Sequence, residues 1–192
     1  SLSGGMASTG LLVHLLANGC EVHGISFDYG QKHKLELSRL KANLEYLESK
    51  GIHVPHKVVD ISVLGKLFNS ALTTDGWDIP EGHYEQDNMK QTVVPNRNAI
   101  FSSIAYGYTL SIANETETEV SLCLGVHSGD HAIYPDCRPE FYEAIHHAFT
   151  IGNWDSERVC MYLPYLDGDK YTILKDAQAS IEKLGLNFDI IF

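Results

Sequence analysis

The stretch Ser1-Leu-Ser-Gly-Gly-Met-Ala-Ser-Thr-Gly10 decides the interpretation of this chain. The glycine pair Gly4 and Gly5 comes shortly before two hydroxyl side chains and the apolar run that opens at Leu11. This order predicts a glycine-rich loop that leads into a helix. The first turn of a helix offers N–H groups without intrahelical partners, and glycines let the backbone approach a ligand closely. The stretch therefore predicts a phosphate site, with an ordinary helix cap at Ser3 as the alternative.

The composition is that of an acidic globular protein. In 192 residues, 14 lysine and arginine side chains stand against 25 aspartate and glutamate side chains, which gives a net charge of −11. This balance argues against a general nucleic-acid binder but allows one basic pocket around an anion. No apolar stretch approaches the roughly 20 residues that a membrane helix needs. We therefore expect a cytoplasmic protein that makes no direct contact with nucleic acid or a membrane.

Apolar periodicity predicts strands that alternate with helices. The predicted strands are 21–27, 56–61, 120–124, 159–163 and 188–192. The predicted helices follow the glycine loop and then span about 37–47, 98–113, 141–149 and 170–184. Right-handed crossovers between such units give a parallel sheet. The predicted fold is therefore of the α/β class, an open, mostly parallel twisted sheet with helices on both faces.

The predicted domain organisation is a single domain over residues 1–192. Both ends of the sequence lie within predicted structure, so we expect the domain to be truncated there. Residues 69–97 carry several turn signals and no period, and a long irregular segment in a compact domain usually serves function. We predict that this segment is a flap over the active site.

Three further segments are predicted to converge on the glycine loop: Phe27-Asp-Tyr-Gly-Gln31, Val94-Pro-Asn-Arg-Asn98 and Gly125-Val-His127. Ligands of open parallel sheets bind beyond the carboxyl ends of the strands. Arg97 could hold a phosphate or carboxylate, although its segment also fits a helix cap. Asp28 could face a nucleotide or a metal, or cap a turn.

Three more charged residues are candidates for the same site. Asp136 and Arg138 offer an acceptor and a donor fork for a guanine-like edge and a carboxylate, or they form a surface ion pair with each other. Lys170 is predicted to begin a helix, where its charge opposes the helix dipole. An anionic partner is therefore expected beside Lys170.

Ser-Gly-Gly-Met-Ala-Ser at 3–8 resembles the PP-loop of N-type ATP pyrophosphatases, which cleave ATP between the α and β phosphates. Together with the blocks at 27–33, 94–98 and 134–141, it resembles the 7-cyano-7-deazaguanine synthase family, also called QueC or ExsB. The resemblance covers nearly the whole chain. It implies the ATP-dependent conversion of 7-carboxy-7-deazaguanine and ammonia to the nitrile in queuosine biosynthesis. It also implies Mg²⁺ and, as a guess at assembly, a homodimer.

The resemblance implies a role for each matching residue. The expected catalytic residues are Lys170 and Arg97. The expected nucleotide contacts are Leu2, Ser3, Gly4, Gly5, Met6, Ala7, Ser8, Thr9, Asp28 and Gln31. The expected substrate contacts are Asn98, Asp130, Asp136 and Arg138.

The sequence departs from the family pattern at three places. Ala7 stands where the family has an aspartate, so a carboxylate that would help hold Mg²⁺ is missing. Ile133 stands where the family has a glycine. The zinc-binding cysteine cluster of the family lies beyond the end of this sequence, and the four scattered cysteines here supply no replacement.

The departure at Ala7 keeps alternative functions open. It favours an enzyme of reduced activity or a non-catalytic module that binds nucleotides or deazapurines. A PP-loop enzyme that activates a different carboxylate is also consistent with these residues. A tRNA-modifying enzyme would need a basic surface, and the net charge of −11 weighs against it.

Overall fold

A computed structural model describes residues 1–30, 35–65, 67, 94–127, 129 and 134–192. The helices are α1 (Met6–Ala17), α2 (Leu35–Ser49), α3 (Ser62–Gly65), α4 (Arg97–Thr116), α5 (Pro139–Gly152), α6 (Lys170–Lys183) and α7 (Phe188–Ile191). The strands are β1 (Gly24–Asp28), β2 (His56–Asp60), β3 (Val120–Cys123) and β4 (Val159–Tyr162). Short 3₁₀ turns span Pro135–Cys137 and Ser156–Arg158. The predicted alternation of strands and helices is confirmed.

The described strands form two parallel pairs. In the first pair, Gly24 of β1 lies opposite His56 of β2. In the second pair, Val120 of β3 lies opposite Val159 of β4. Each pair is joined through a helical crossover, as the sequence predicts for a parallel sheet.

An extended segment at Ser1 and Leu2 lies between the two strand pairs. The Leu2 N–H donates to the carbonyl oxygen of Ile25 in β1 at 2.8 Å. The Ser1 nitrogen donates to the carbonyl oxygen of Cys123 in β3 at 2.9 Å. This segment therefore connects β1 to β3 directly before the glycine loop begins at Ser3.

Apolar cores lie on two sides of the strands. One core joins α1, α2, α6 and α7, with Val13, Leu47 and Ala177 each fully buried. The other core packs α4 and α5 against β1, β3 and β4, and Tyr106 of α4 is its largest fully buried side chain. This arrangement confirms helices on both faces, and burial of these side chains is the main source of stability.

The prediction of a strand at 188–192 is wrong, because the chain forms the short helix α7 there. The Asn187 side chain caps the helix by accepting from the Asp189 N–H at 2.9 Å. Phe188 and Phe192 stack at 5.0 Å between ring centroids. Residues four apart meet on one helix face, so this contact and the cap favour a helix over a strand.

The predicted flap at 69–97 lies outside the described residues except for its end. Val94 is buried there, and Arg97 begins α4. Within the part of the chain that the structure describes, no helix combines the length and the apolar character needed to cross a bilayer.

Helices α1 and α6 approach each other closely at Gly10. A Cβ atom on Gly10 would lie 2.7 Å from Cγ2 of Ile173, which is fully buried. Gly107 in the exposed face of α4 is a contrasting case, because a Cβ there would meet nothing within 4 Å. Glycine is therefore required by packing at the first position and not at the second.

We predict that Gly10→Ala lowers the free energy of unfolding by about 1–2 kcal/mol, because overpacking at Ile173 outweighs the helix propensity of alanine. Ile173→Leu removes the Cγ2 branch, so the double variant should be more stable than the sum of the two single changes. Urea denaturation measures these differences. Gly107→Ala is the matched control and should stabilise the protein by about 1 kcal/mol. If the effects of Gly10→Ala and Ile173→Leu on the free energy of unfolding are additive, the contact between these two residues is contradicted.

Candidate active site

A cavity of about 500 Å³ lies at the carboxyl ends of β1 and β3. The glycine loop, defined here as residues 3–9, forms one wall. The starts of α2, α4 and α6 and the segment after β3 form the others. The predicted convergence of the glycine loop with the segments after β1 and β3 is therefore seen in the tertiary structure.

The hydroxyl of Ser8 organises the glycine loop. Its Oγ accepts from the N–H groups of Ser3 and Gly4, both at 3.2 Å, and donates to the Gly5 carbonyl oxygen at 3.0 Å. The Ser3 hydroxyl in turn accepts from the Gly5 N–H at 3.2 Å. These two side chains hold the loop backbone in a tight turn.

Helix α1 begins at Met6 without a side-chain cap. Gly5 is the residue at the cap position, and among the described residues no side chain accepts a hydrogen bond from the N–H groups of Met6, Ala7 and Ser8. The alternative of an ordinary cap at Ser3 is therefore wrong. N–H groups of the first turn that lack a cap carry partial positive charge. The cavity wall at Met6, Ala7 and Ser8 is thus suited to an anion.

Two glycines allow the loop to be packed from both sides. Gly4 has φ +86°, and a Cβ there would lie 2.0 Å from the carbonyl oxygen of Glu36 in α2. On the other side, a Cβ on Gly125 would lie 2.8 Å from the carbonyl oxygen of Ala7. Both contacts join backbone to backbone, so any side chain at either position would displace the loop.

Two cationic side chains reach the cavity from helix starts. Arg97 is the first residue of α4, and Lys170 is the first residue of α6. Asp169 caps α6 by accepting from the Thr172 N–H at 2.8 Å, and this hydrogen bond keeps the pKa of Asp169 below its usual value. Two cationic side chains and an uncapped helix start in one cavity wall suit a polyphosphate.

An aromatic wall borders the same cavity. The rings of Phe27 and Phe101 stack with centroids 4.4 Å apart, and Tyr29 lies 5.4 Å from Phe101. The Arg97 guanidinium lies over the Tyr29 ring at 6.0 Å, a cation–π contact. Flat aromatic faces of this kind can stack on a purine-like base.

The segment that begins α5 lies within electrostatic reach of Arg97. Burial raises the pKa of the Tyr142 phenol, the charges of Cys137 and Asp136 raise it further, and the Arg97 guanidinium opposes them. Asp136 and Arg138, both described, form no ion pair with each other, unlike the surface alternative considered from the sequence. Neither Asp136 nor Arg138 is part of the described cavity wall.

The structure brings together only some of the predicted site residues. Those that line the cavity are Leu2, Ser3, Gly5, Met6, Ala7, Ser8, Arg97, Asn98 and Lys170. Gly4 and Thr9 belong to the loop but are not part of the described cavity wall, and Thr9 is buried. Asp28 accepts from the Gly30 N–H at 3.1 Å, as a turn cap does. Gln31, Asp130 and Ile133 lie outside the described residues. The ligand contacts of all these residues stay predictions.

Sequence reasoning missed Glu36, which also lines the cavity. It predicted Gly125 as part of the segment 125–127, but not the close approach of Gly125 to the Ala7 carbonyl oxygen. Glu36 follows the block at 27–33 by three positions, and this place in the sequence was the available signal. The contacts of both residues with the glycine loop depend on tertiary packing.

A second cavity, of about 510 Å³, lies beside the Ser1–Leu2 segment between α1 and α4. Its described lining is largely apolar and includes no lysine or arginine. It is therefore less suited to a phosphate than the cavity at the glycine loop.

Comparisons with known proteins identify the family of this chain. The model of the family described as "Queuosine biosynthesis protein QueC" matches residues 1–188. The chain belongs to the QueC family. No solved structure matches the chain significantly.

Several curated relatives carry the name 7-cyano-7-deazaguanine synthase. The protein from Pseudoalteromonas translucida is 44% identical over 186 residues, which cover 97% of this chain and 78% of the relative. The protein from Alteromonas mediterranea is 47% identical over 175 residues, 91% of this chain and 74% of the relative. The protein from Caldicellulosiruptor saccharolyticus is 45% identical over 189 residues, 98% of this chain and 77% of the relative.

The two metals implied by the family fit this structure differently. Among the described residues, no group of three or more His, Cys, Asp or Glu side chains could hold a metal ion. Zinc in a structural site takes four cysteine or histidine ligands, so the described residues do not fit it. Magnesium is commonly held by one or two carboxylates together with water and phosphate oxygens. The cavity fits magnesium, because the Glu36 carboxylate lies in its wall.

We predict that Ser8→Ala weakens ATP binding about tenfold or more, because the Ser3 and Gly4 N–H groups lose their shared acceptor. Isothermal titration calorimetry with ATP measures this change. Ser111→Ala is the matched control, since the exposed Ser111 hydroxyl of α4 donates to the Gly107 carbonyl oxygen at 2.9 Å. Equal ATP affinity in the Ser8 variant and the wild type would contradict the organising role of Ser8.

Proposed function

We propose that this chain is an ATP-dependent enzyme that converts 7-carboxy-7-deazaguanine and ammonia to 7-cyano-7-deazaguanine. The observation that carries the proposal is the uncapped start of α1 in one cavity with Arg97 and Lys170. Membership of the QueC family and the names of the relatives support the substrate class. ATP as the co-substrate is consistent with the family.

The proposed reaction activates a carboxylate twice. A carboxylate is a poor electrophile, so transfer of AMP from ATP to its oxygen creates a leaving group and releases pyrophosphate. Attack of ammonia then forms the amide and releases AMP. A second adenylation on the amide oxygen lets that oxygen leave with AMP, and loss of the amide protons completes the carbon–nitrogen triple bond.

The residues of the cavity have distinct tasks in this proposal. The first turn of α1 and the two cations bind the phosphates and stabilise the charge that develops as pyrophosphate leaves. Phe27, Tyr29 and Phe101 offer a stacking surface for a purine-like ring. Asn98 lies in the same wall and could bind a polar edge of the substrate. Asp136 and Arg138 are proposed to complete recognition of the base and the carboxylate.

The proposal also includes a metal ion, a nitrogen donor, a cellular location and an assembly. Magnesium accompanies the nucleotide, ammonia is the nitrogen donor, the protein acts in the cytoplasm, and a homodimer is the proposed assembly. The single domain with a flap at 69–97 is also proposed, since the described residues do not include most of that segment. No step is assigned to zinc, because the described residues do not fit it.

A second candidate function is a non-catalytic protein that binds a nucleotide or a deazapurine. Ala7 favours it, because this residue of the cavity wall is an alanine where the family has an aspartate. The loop conformation does not depend on a carboxylate at this position, since Ser8 and Ser3 make its side-chain hydrogen bonds. Binding could therefore persist without efficient turnover.

We predict that the full chain, incubated with 7-carboxy-7-deazaguanine, ammonia, ATP and Mg²⁺, forms the nitrile and that Ala7→Asp increases its rate. The physical reason is that an added carboxylate supplies a further oxygen ligand for the cation on the phosphates. Mass spectrometry of the deazaguanine product and quantification of AMP measure turnover.

The outcomes separate the candidate functions. Nitrile from the unchanged chain supports the enzyme, and nitrile only from the Ala7→Asp variant supports the non-catalytic protein. Arg97→Ala in the Ala7→Asp background is a control for the site and should abolish product. Failure of both forms to make product or to bind the deazaguanine would overturn the substrate assignment.

A further inference from the structure

Glu36 is fixed against the glycine loop by backbone packing. A Cβ on Gly4 would lie 2.0 Å from the Glu36 carbonyl oxygen and 3.1 Å from Cβ of Leu40. Leu40 is itself buried in the core shared by α1 and α2. The first turn of α2 therefore cannot move away from the loop without disturbing that core, and the position of Glu36 relative to the loop is set by the fold.

The carboxylate of Glu36 extends toward the phosphate side of the cavity. A Cβ on Gly5 would lie 3.0 Å from Oε1 of Glu36 and 3.3 Å from Oγ of Ser3. The carboxylate is thus next to the residue that precedes the uncapped start of α1. Glu36 is exposed to solvent and lines the cavity, and no hydrogen bond or ion pair with another described residue occupies its carboxylate.

A carboxylate at this place conflicts with the charge of the proposed ligand. The other charged side chains in the described cavity wall are those of Arg97 and Lys170, which attract phosphate. Glu36 is the one carboxylate in that wall, and it would repel a metal-free triphosphate. The repulsion becomes an attraction when a divalent cation lies between the carboxylate and the phosphate oxygens.

Because position 7 is an alanine, a carboxylate ligand for a magnesium ion on the phosphates must come from another residue. Ala7 also lines the cavity, and its side chain offers no oxygen ligand. We infer that the Glu36 carboxylate binds the magnesium ion of MgATP in this chain and takes the role that an acidic residue at position 7 would have. This inference rests on the proposed function to the extent that ATP is the ligand of the cavity.

The test compares the affinities of the full chain for ATP with Mg²⁺ and for ATP with a chelator, measured by isothermal titration calorimetry. The wild type should bind MgATP more tightly than metal-free ATP. Glu36→Gln keeps the size of the side chain and removes its charge. The variant should bind MgATP about tenfold more weakly and metal-free ATP more tightly than the wild type does, so the magnesium dependence is lost.

Two variants sharpen the comparison. Glu45→Gln changes another carboxylate of α2, one that pairs with Lys41 at 3.8 Å on the exposed surface, and should change neither affinity. Ala7→Asp in the Glu36→Gln background should restore the magnesium dependence, because it returns a carboxylate to the cavity.

The outcomes are distinguishable. Equal weakening of both forms of ATP in Glu36→Gln would show a merely structural role and would overturn the inference. An unchanged preference for MgATP in that variant would also overturn it. A wild-type chain that binds neither form of ATP would instead overturn the proposed function.

Discussion

Backbone contact at two glycines is the constraint on which the site depends. Gly4 lies against the carbonyl oxygen of Glu36, and Gly125 lies against the carbonyl oxygen of Ala7. The glycine loop is thereby held between α2 and the segment that follows β3. The Ser8 hydroxyl completes the turn by accepting hydrogen bonds from the N–H groups of Ser3 and Gly4. Without these two close approaches, the first turn of α1 would not be presented at the carboxyl ends of the strands.

The electrostatics of the cavity differ from those of the whole protein. The chain carries a net charge of −11, yet the cavity combines an uncapped helix start with Arg97 and Lys170. Local fixed charges and dipoles, rather than net charge, determine which ligand a cleft attracts. A net charge of −11 is therefore compatible with a cavity that attracts a nucleotide. Glu36 adds a negative charge beside these cations, which favours an anion that carries its own metal ion.

The family pattern and the physical geometry support each other at different residues. Family membership explains why the blocks at 3–9, 27–33, 94–98 and 134–141 occur in this order. Packing explains why described residues of the first three blocks meet at one cavity, since the Ser1–Leu2 segment is hydrogen-bonded to both β1 and β3. The family pattern and the packing lead to different expectations at Ala7. Its backbone keeps the helix start and the contact with Gly125, while its side chain lacks the ligand atoms that the family pattern leads us to expect.

The sequence by itself determined the α/β class, the glycine loop before α1 and the order of the motif blocks, because apolar period and glycine placement are local properties. It also identified Arg97 and Lys170 as helix-start cations. It failed at 188–192, where the Asn187 cap and the stacking of Phe188 on Phe192 favour a helix over a strand. Only the tertiary structure decided that Glu36 belongs to the site and that Gly125 packs directly against the glycine loop. Both act through contacts between segments far apart in the chain, and no local pattern specifies such contacts.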